Sequence, residues 1–251
     1  GGHLGWPAGS RAAPASSQAR PAQEVVIRSP NIWDTPQIYE VENVASDQAG
    51  AIDSRLIALQ AFSGSVVVDL GCGSGFHLPR FAGYGARVIG VEPYGPLVAA
   101  ARDRVRREGV PAEVLAGSAD ALPLADNSVD LIHARWAYFF GGGCEPGIAE
   151  AARVLRPGGL LTVIDNDATR STFGSWFRSA YPAYDPIGVQ RFWDRQGFVT
   201  EHLTIWWTFS SREDLEAVAR IELPPEAAER ALAAHEGTTV DYGIALRWKR
   251  F

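Results

Sequence analysis

Between Ser65 and Glu92 the hydrophobic pattern of the chain changes period twice. Val66-Val67-Val68 is a β-branched run without alternation, the pattern of a strand covered on both faces. It runs through Asp69-Leu70 into Gly71-Cys72-Gly73-Ser74-Gly75, where alternating glycines predict a tight turn, because glycine accepts a positive φ without a Cβ penalty. Phe76 to Ala82 can open a helix, and Ala86 to Val91 makes a second strand ending on Glu92. Strand, glycine turn, helix, and strand closed by a carboxylate form the nucleotide-binding half of a doubly wound sheet. The carboxylate is then placed for ribose hydroxyls.

The same reading extends in both directions. Asp47 to Phe62 has apolar residues at Ile52, Leu56, Ile57 and Leu59, a helical spacing, with Ser46 or Asp47 as its cap. Pro96 to Arg107 is the helix after the second strand, with Arg102, Arg104, Arg106 and Arg107 on a solvated face. Strands follow at Glu113–Ala116 and from Ser128. A helix over Glu145–Leu155 ends at Arg156-Pro157-Gly158-Gly159, a turn signal ahead of a strand at Leu160–Ile164. Beyond a helix at Asp185–Gln196, Phe198–Phe209 and Thr239–Trp248 read as strands of an antiparallel pair, separated by helices at Arg212–Glu222 and Pro225–His235. Trp206, Trp207 and Trp248 are expected in the core of these strands.

Gly1 to about Gln23 lacks apolar periodicity and reads as a mobile arm. Asn31 to Val41 carries too much apolar surface for a linker, so Trp33 and Tyr39 either cover a ligand or anchor the arm to the core. The chain thus divides into an arm (1–23), a cap with the first helix (24–62) and a sheet domain (63–251) with a helical insertion at about 211–236.

Glycine spacing narrows the nucleotide. A dinucleotide fingerprint needs its third glycine where this chain has Phe76, so NAD fits poorly. No Lys-Ser/Thr follows the turn, which excludes a phosphate-cradling P-loop.

Asp69-Leu70-Gly71-Cys72-Gly73-Ser74-Gly75 resembles the first motif of the class I S-adenosylmethionine (SAM) dependent methyltransferases, acidic-x-Gly-x-Gly-x-Gly, at every fixed position. The resemblance runs from about Val66 to Asp165 and is closest to the small-molecule enzymes typified by ubiquinone and menaquinone biosynthesis. It implies a Rossmann-like α/β fold: a seven-stranded, mostly parallel sheet with an antiparallel C-terminal strand, helices on both faces and an N-terminal cap. It also implies SAM as cofactor and S-adenosylhomocysteine as product. The cofactor residues implied are Asp69, Gly71, Cys72, Gly73, Gly75, Glu92 with the adjoining Pro93, the adenine loop Ser118, Ala119 and Asp120, and Ala134 and Arg135 after the fourth strand, with Tyr39 from the lid.

The acceptor chamber is expected over the ends of the fourth and fifth strands, bounded by Trp33, Tyr138, Phe139, Asn166 and Asp167. Where many relatives carry histidines this chain has Phe139 and Phe140, which form either an aromatic wall or plain core. His133, Tyr138 and Asp165 are the catalytic candidates, although strand alternation can equally turn His133 toward the helix layer, and the Asp165-Asn166-Asp167 run can equally cap the next helix.

With 251 residues, 46% apolar and 21% charged, the chain suffices for one sizeable domain with a cap. A net charge of −6 provides no basic footprint for nucleic acid. Two cysteines make no disulfide framework, and no window reaches the length of a membrane span, so a cytoplasmic protein without membrane association is expected. Arginine supplies all but one of the basic residues and methionine is absent, a bias of GC-rich bacterial sequences. Methyl transfer to an O or N atom of a small molecule, in bacterial secondary metabolism, is the leading expectation. The alternatives are methylation of a macromolecule and a SAM-binding protein without transferase activity. No metal is expected, and the sequence leaves the oligomeric state open.

Overall fold

The central strand β1 (Val66–Leu70) takes β2 (Arg87–Glu92) on one side and β4 (Val129–Arg135) on the other, both parallel to it. The computed structural model describes residues 30–251; the expected arm at 1–23 and the first residues of the cap lie outside the described residues. Adding β3 (Ala112–Ala116), β5 (Leu155–Asn166), β6 (Val199–Thr208) and β7 (Thr239–Arg250) gives a seven-stranded sheet ordered β3-β2-β1-β4-β5-β7-β6. Strand β7 is antiparallel to both β5 and β6, which makes it the one reversed strand of an otherwise parallel sheet. The order reverses between β1 and β4, and such a switch point opens a crevice at the carboxyl ends of the strands.

The helices are α1 (Pro30–Asp34), α2 (Pro36–Ala45), α3 (Ala51–Leu59), α4 (Leu78–Gly83), α5 (Gly95–Arg107), α6 (Glu145–Val154), α7 (Ser171–Ala180), α8 (Pro186–Arg195), α9 (Arg212–Glu222) and α10 (Pro225–Ala234). They divide between the sheet's two faces and make two cores. Leu56, Phe81, Val98, Phe173, Trp207 and Tyr242 belong to one, under α3, α4, α5, α7 and α9. Ile132, Phe139, Ala151, Val163 and Trp193 belong to the other, under α6 and α8.

Local chemistry accounts for most boundaries. The Asp47 carboxylate accepts from Ala51 N and Ile52 N and so caps α3, although Gly50 stands at the N-cap position itself. Asp185 caps α8 through Gly188 N, and Ser211 caps α9 through Asp214 N. The helix expected from Phe76 begins at Leu78, because Gly75 to His77 are taken up by the turn. Helix α7 has no counterpart in the sequence reading; its apolar face, Phe173, Trp176 and Phe177, lies in a stretch without a strong start signal.

Two expectations about side chains are corrected. Arg104 is not on the solvated face: it pairs with Glu40 at 2.7 Å and lies over the Phe76 ring, whereas Arg102 stays exposed while donating twice to Val114 O. Arg106 and Arg107 are exposed as expected, sharing Asp103. Trp206 is exposed, because alternation along the edge strand β6 turns its neighbour Trp207 inward instead.

Candidate functional site

At the carboxyl end of β1 the backbone reverses through Gly71, Gly73 and Gly75, at φ of 73°, 57° and 81°. A Cβ on Gly71 would stand 2.6 Å from the Cβ of Ala137, so this position excludes a side chain sterically as well as conformationally. Gly71 N and Cys72 N both donate to Val91 O, which ties the turn to the end of β2. Glu92 is buried, and its two oxygens accept from Gly73 N at 3.1 Å and Tyr94 N at 2.8 Å. Burial pushes its carboxyl up, with the two backbone donors opposing. Each oxygen retains lone pairs for a hydroxyl donor. Cys72 is buried and burial raises its thiol pKa far up, leaving its backbone as the part that shapes the turn.

The first two helices close over this end. Trp33 stacks on Tyr94, two residues past Glu92 and next to Pro93, with ring centroids 4.1 Å apart. Ile32, Tyr39 and Leu97 form a small apolar cluster around that stack. Trp33 is thereby drawn to the β2 loop and away from Tyr138 and Phe139, with which it was expected to share a wall. In the loop after β3, Ser118 Oγ donates to Asp120 Oδ1 at 2.6 Å and Ala119 is buried.

Behind the turn lies a buried polar chain. His133 Nδ1 is 2.9 Å from Asp69 Oδ1, and Arg135 Nε donates to His133 Nε2 at 3.1 Å. Because arginine only donates, Nε2 carries no proton, and the neutral ring gives its Nδ1 proton to Asp69. Burial lowers the imidazole pKa, with Asp69 opposing. Arg135 continues to Asp53 of α3 at 3.2 Å, and Asp53 accepts from Tyr84 OH at 2.8 Å and from Arg80. Burial pushes the Asp53 carboxyl up, but Arg135, Tyr84 and Arg80 together outweigh it and hold it below the ordinary carboxylate range. His133 therefore has no nitrogen free for a substrate proton, which corrects its candidacy as a base. His77 sits beside it, stacked on Phe81, at the start of α4.

Other candidates also have structural employment. Tyr138 packs its ring edge on Gly147 of α6, and burial moves its phenol pKa to about 12, so neither acid nor base work suits it. Phe139 is 1% exposed within the α6/α8 core, where Ala134 also lies, and this corrects its place in an acceptor wall. Asp165 points to the same face, its Oδ1 accepting from Asn166 N, and burial moves its carboxyl to about 6. Asp167 serves the following turn, accepting from Thr169 through Oδ1 and meeting His202 Nδ1 at 2.8 Å through Oδ2.

What the opposite face gathers at the ends of β4, β5 and β7 is different. Trp136 Nε1 donates to Asn166 Oδ1 at 2.8 Å, and Tyr242 OH donates to the same oxygen. Close by, Glu42 of α2 and Glu222 of α9 hydrogen-bond to each other, and Asn31 Nδ2 donates to Glu222 Oε1 at 2.8 Å. All of these side chains are buried. Two buried carboxyls in contact hold a proton between them: burial moves Glu42 to about 8 and Glu222 well above its ordinary value. Sequence reasoning passed over this cluster, although a signal existed. Glu42 falls on the same helical stripe as Tyr39 and Ala45, and Glu222 on that of Leu215, Val218 and Ala219.

Comparison with known proteins points to the same kind of domain. Residues 68–163 match the family model described as a methyltransferase domain. The matched stretch is similar to a methyltransferase domain. Over 108 residues the chain is 34% identical to the malonyl-[acyl-carrier protein] O-methyltransferase of Yersinia pestis, covering 43% of this chain and 39% of that protein. Over 110 residues it is 40% identical to the methyltransferase GfsG of Streptomyces halstedii, covering 43% and 40% respectively. The matched stretch thus spans about two fifths of the length of these curated relatives. Among solved structures, the YcgJ protein of Bacillus subtilis superposes with a TM-score of 0.58 at 17% identity, covering 81% of this chain and 98% of that one. The [4+2]-cyclase SpnF superposes at 0.52 and 24% identity, covering 80% and 81%. These superpositions show the fold.

The residues of the matched stretch fit the nucleoside and amino-acid parts of SAM. The glycine turn leaves backbone exposed to a close ligand, Glu92 offers lone pairs to hydroxyls, and Asp69 Oδ2 is a buried acceptor without a donor among the described residues. Asp69 suits an ammonium and Glu92 a ribose diol.

Proposed function

We propose that the protein is a SAM-dependent methyltransferase that modifies an O or N atom of a small molecule. The observation that carries the reading is the Glu92 carboxylate, fixed by backbone N–H groups of the glycine turn and of Tyr94 within a stretch that matches the methyltransferase domain. When bound, SAM would supply an electrophilic methyl group on a sulfonium. The protein's part is alignment, an effect worth roughly 7 to 11 kcal/mol in well-oriented systems. Glu92 would hold the ribose, Asp69 the ammonium, and Ser118 to Asp120 the adenine. The His133–Arg135–Asp53 chain keeps Asp69 from rotating, so Asp69 presents one oxygen to the ligand.

The acceptor would enter over β4, β5 and β7, on the face where Tyr39, Trp136 and Tyr242 surround the Glu42–Glu222 pair. A buried carboxyl that keeps its proton at physiological pH can donate a hydrogen bond to the acceptor, and it takes up a proton from it only as pH rises toward about 8. Helices α1 and α2 would exclude water during transfer. The fold also serves a cyclase, so the domain match and the residues, not the superposition, carry this reading.

Calorimetry with SAM, S-adenosylhomocysteine and NAD tests the cofactor: the first two should bind and NAD should not. Labelled SAM incubated with fractionated cell extract tests the acceptor. Label entering polymer rather than small molecules would overturn the small-molecule assignment.

A further inference from the structure

On the α8 face of the sheet, across β5 from the Glu42–Glu222 pair, a cavity of about 380 Å³ opens between α8, the loop after β5, and strands β6 and β7. Arg247 of β7 lines it while only 4% exposed. One face of its guanidinium rests over the Trp193 ring, 5.7 Å from the centroid. Its Nη2 makes a long contact, 3.4 Å to Gln190 Oε1, while Nε and Nη1 are buried with no acceptor among the described residues. A buried cation without a partner is costly, and in a folded protein such a group ordinarily pairs. Asp165 is the nearest carboxylate, yet its own Oδ2 is also without a donor, so the two do not form an ion pair.

The other charges around the cavity are unequally committed. Asp167 is engaged by His202, by Thr169 and, at 3.6 Å, by Arg170, and Asp194 accepts from Gln190 Nε2. The two carboxylates that line the cavity are therefore engaged, whereas the Arg247 guanidinium is not. Pro186, Ile187 and Ala245 add apolar wall, and the volume exceeds what one inorganic ion fills. An arginine fork matches a carboxylate in two parallel hydrogen bonds.

We propose that this cavity is a binding site for a small organic carboxylate, received by Arg247 and sheltered by the apolar wall of α8. The site is separate from the glycine turn and does not depend on methyl transfer.

The test is a ¹⁹F NMR titration of the full chain with 4-fluorobenzoate, with neutral 4-fluorobenzamide and inorganic phosphate as controls. Saturable benzoate binding without benzamide binding is expected. Arg247→Gln should weaken benzoate by at least about tenfold, the scale of one lost charge-assisted pair. Ile187→Glu places a negative charge at an exposed rim position and should weaken it about threefold or more without touching the core. Asp165→Asn should tighten it, because it removes the carboxylate nearest to Arg247. S-adenosylhomocysteine affinity serves as the control for folding in every variant. The proposal fails if benzoate does not saturate, if benzamide binds equally, if phosphate binds while benzoate does not, or if folded Ile187→Glu and Asp165→Asn both titrate like the parent. Should Arg247→Gln not fold, those two variants decide. Loss of benzoate binding leaves the SAM titration untouched, so the two readings fail separately.

Discussion

The two halves of the strand-end crevice are built by different means. On the β1–β2 side the polar groups are supplied by backbone or by near neighbours in sequence: Gly73 N and Tyr94 N on Glu92, and Ser118 on Asp120. On the β4–β5–β7 side they come from side chains far apart in the chain: Asn31 on Glu222, Trp136 and Tyr242 on Asn166. The first arrangement suits a fixed ligand held close to the backbone. The second can change by single substitutions on separate elements, which is what a variable acceptor requires.

The comparison breaks most readily where the two halves are joined. Asp53→Ala leaves the buried Arg135 without its carboxylate and should cost about 3 to 5 kcal/mol of stability, read by denaturant unfolding. A loss below about 1 kcal/mol would mean that Arg135 finds another partner and that the chain from Asp69 to α3 is not a structural unit.

Next in size is the cofactor side alone. Glu92→Ala should weaken SAM by roughly 2 to 4 kcal/mol, and Glu92→Gln by less, because the amide oxygen still accepts. Unchanged affinity in both, by calorimetry, would remove Glu92 from the ligand.

The β4–β5–β7 side, where the acceptor is proposed to enter, should respond to pH. Glu42, moved to about 8, and Glu222, also raised, keep protons in the folded state that the unfolded chain releases near its ordinary value of 4.5. The native state binds more protons across that interval, so stability should fall as pH rises from about 4.5 to 8. Glu42→Gln should flatten that slope and raise stability at pH 8 by at least about 1 kcal/mol. A parent whose melting point holds constant across the interval would contradict the shared proton.

The smallest contrast sharpens the cap. Arg104→Ala severs the Glu40 contact between α5 and α2 and should cost about 1 kcal/mol, whereas Arg107→Ala, on an exposed i,i+4 pair, should cost under about 0.5 kcal/mol. Equal effects would return Arg104 to the solvated face.

Legibility in the sequence follows the same division. The glycine turn, Glu92 and the strand that carries it are contiguous, so spacing alone reads them, and α9, Arg212–Glu222, has the bounds that its periodicity predicts. The acceptor side depends on which face a residue takes at a strand end. Asp165 and Asn166 are adjacent and point to opposite sides of the sheet, so a run of polar residues could not be divided between cavity and chamber in advance. Tyr138 and Phe139 follow Trp136, whose positive φ of 48° redirects the chain and sends them into the α6 core. Nothing local to those residues signals that bend.

Strand β7 lies between β5 and β6 in space but follows both in the chain. During synthesis, β5 therefore keeps an open edge while α7, α8, β6, α9 and α10 are made, and β6 has no strand to pair with until β7 arrives. Closing that gap joins segments distant in sequence, a slow step by loop entropy, during which an uncovered edge is open to other chains. The late and vulnerable event in making this protein is thus the insertion of one strand, and a chain released before it would have its β1–β2 side formed and its β5–β7–β6 side unassembled.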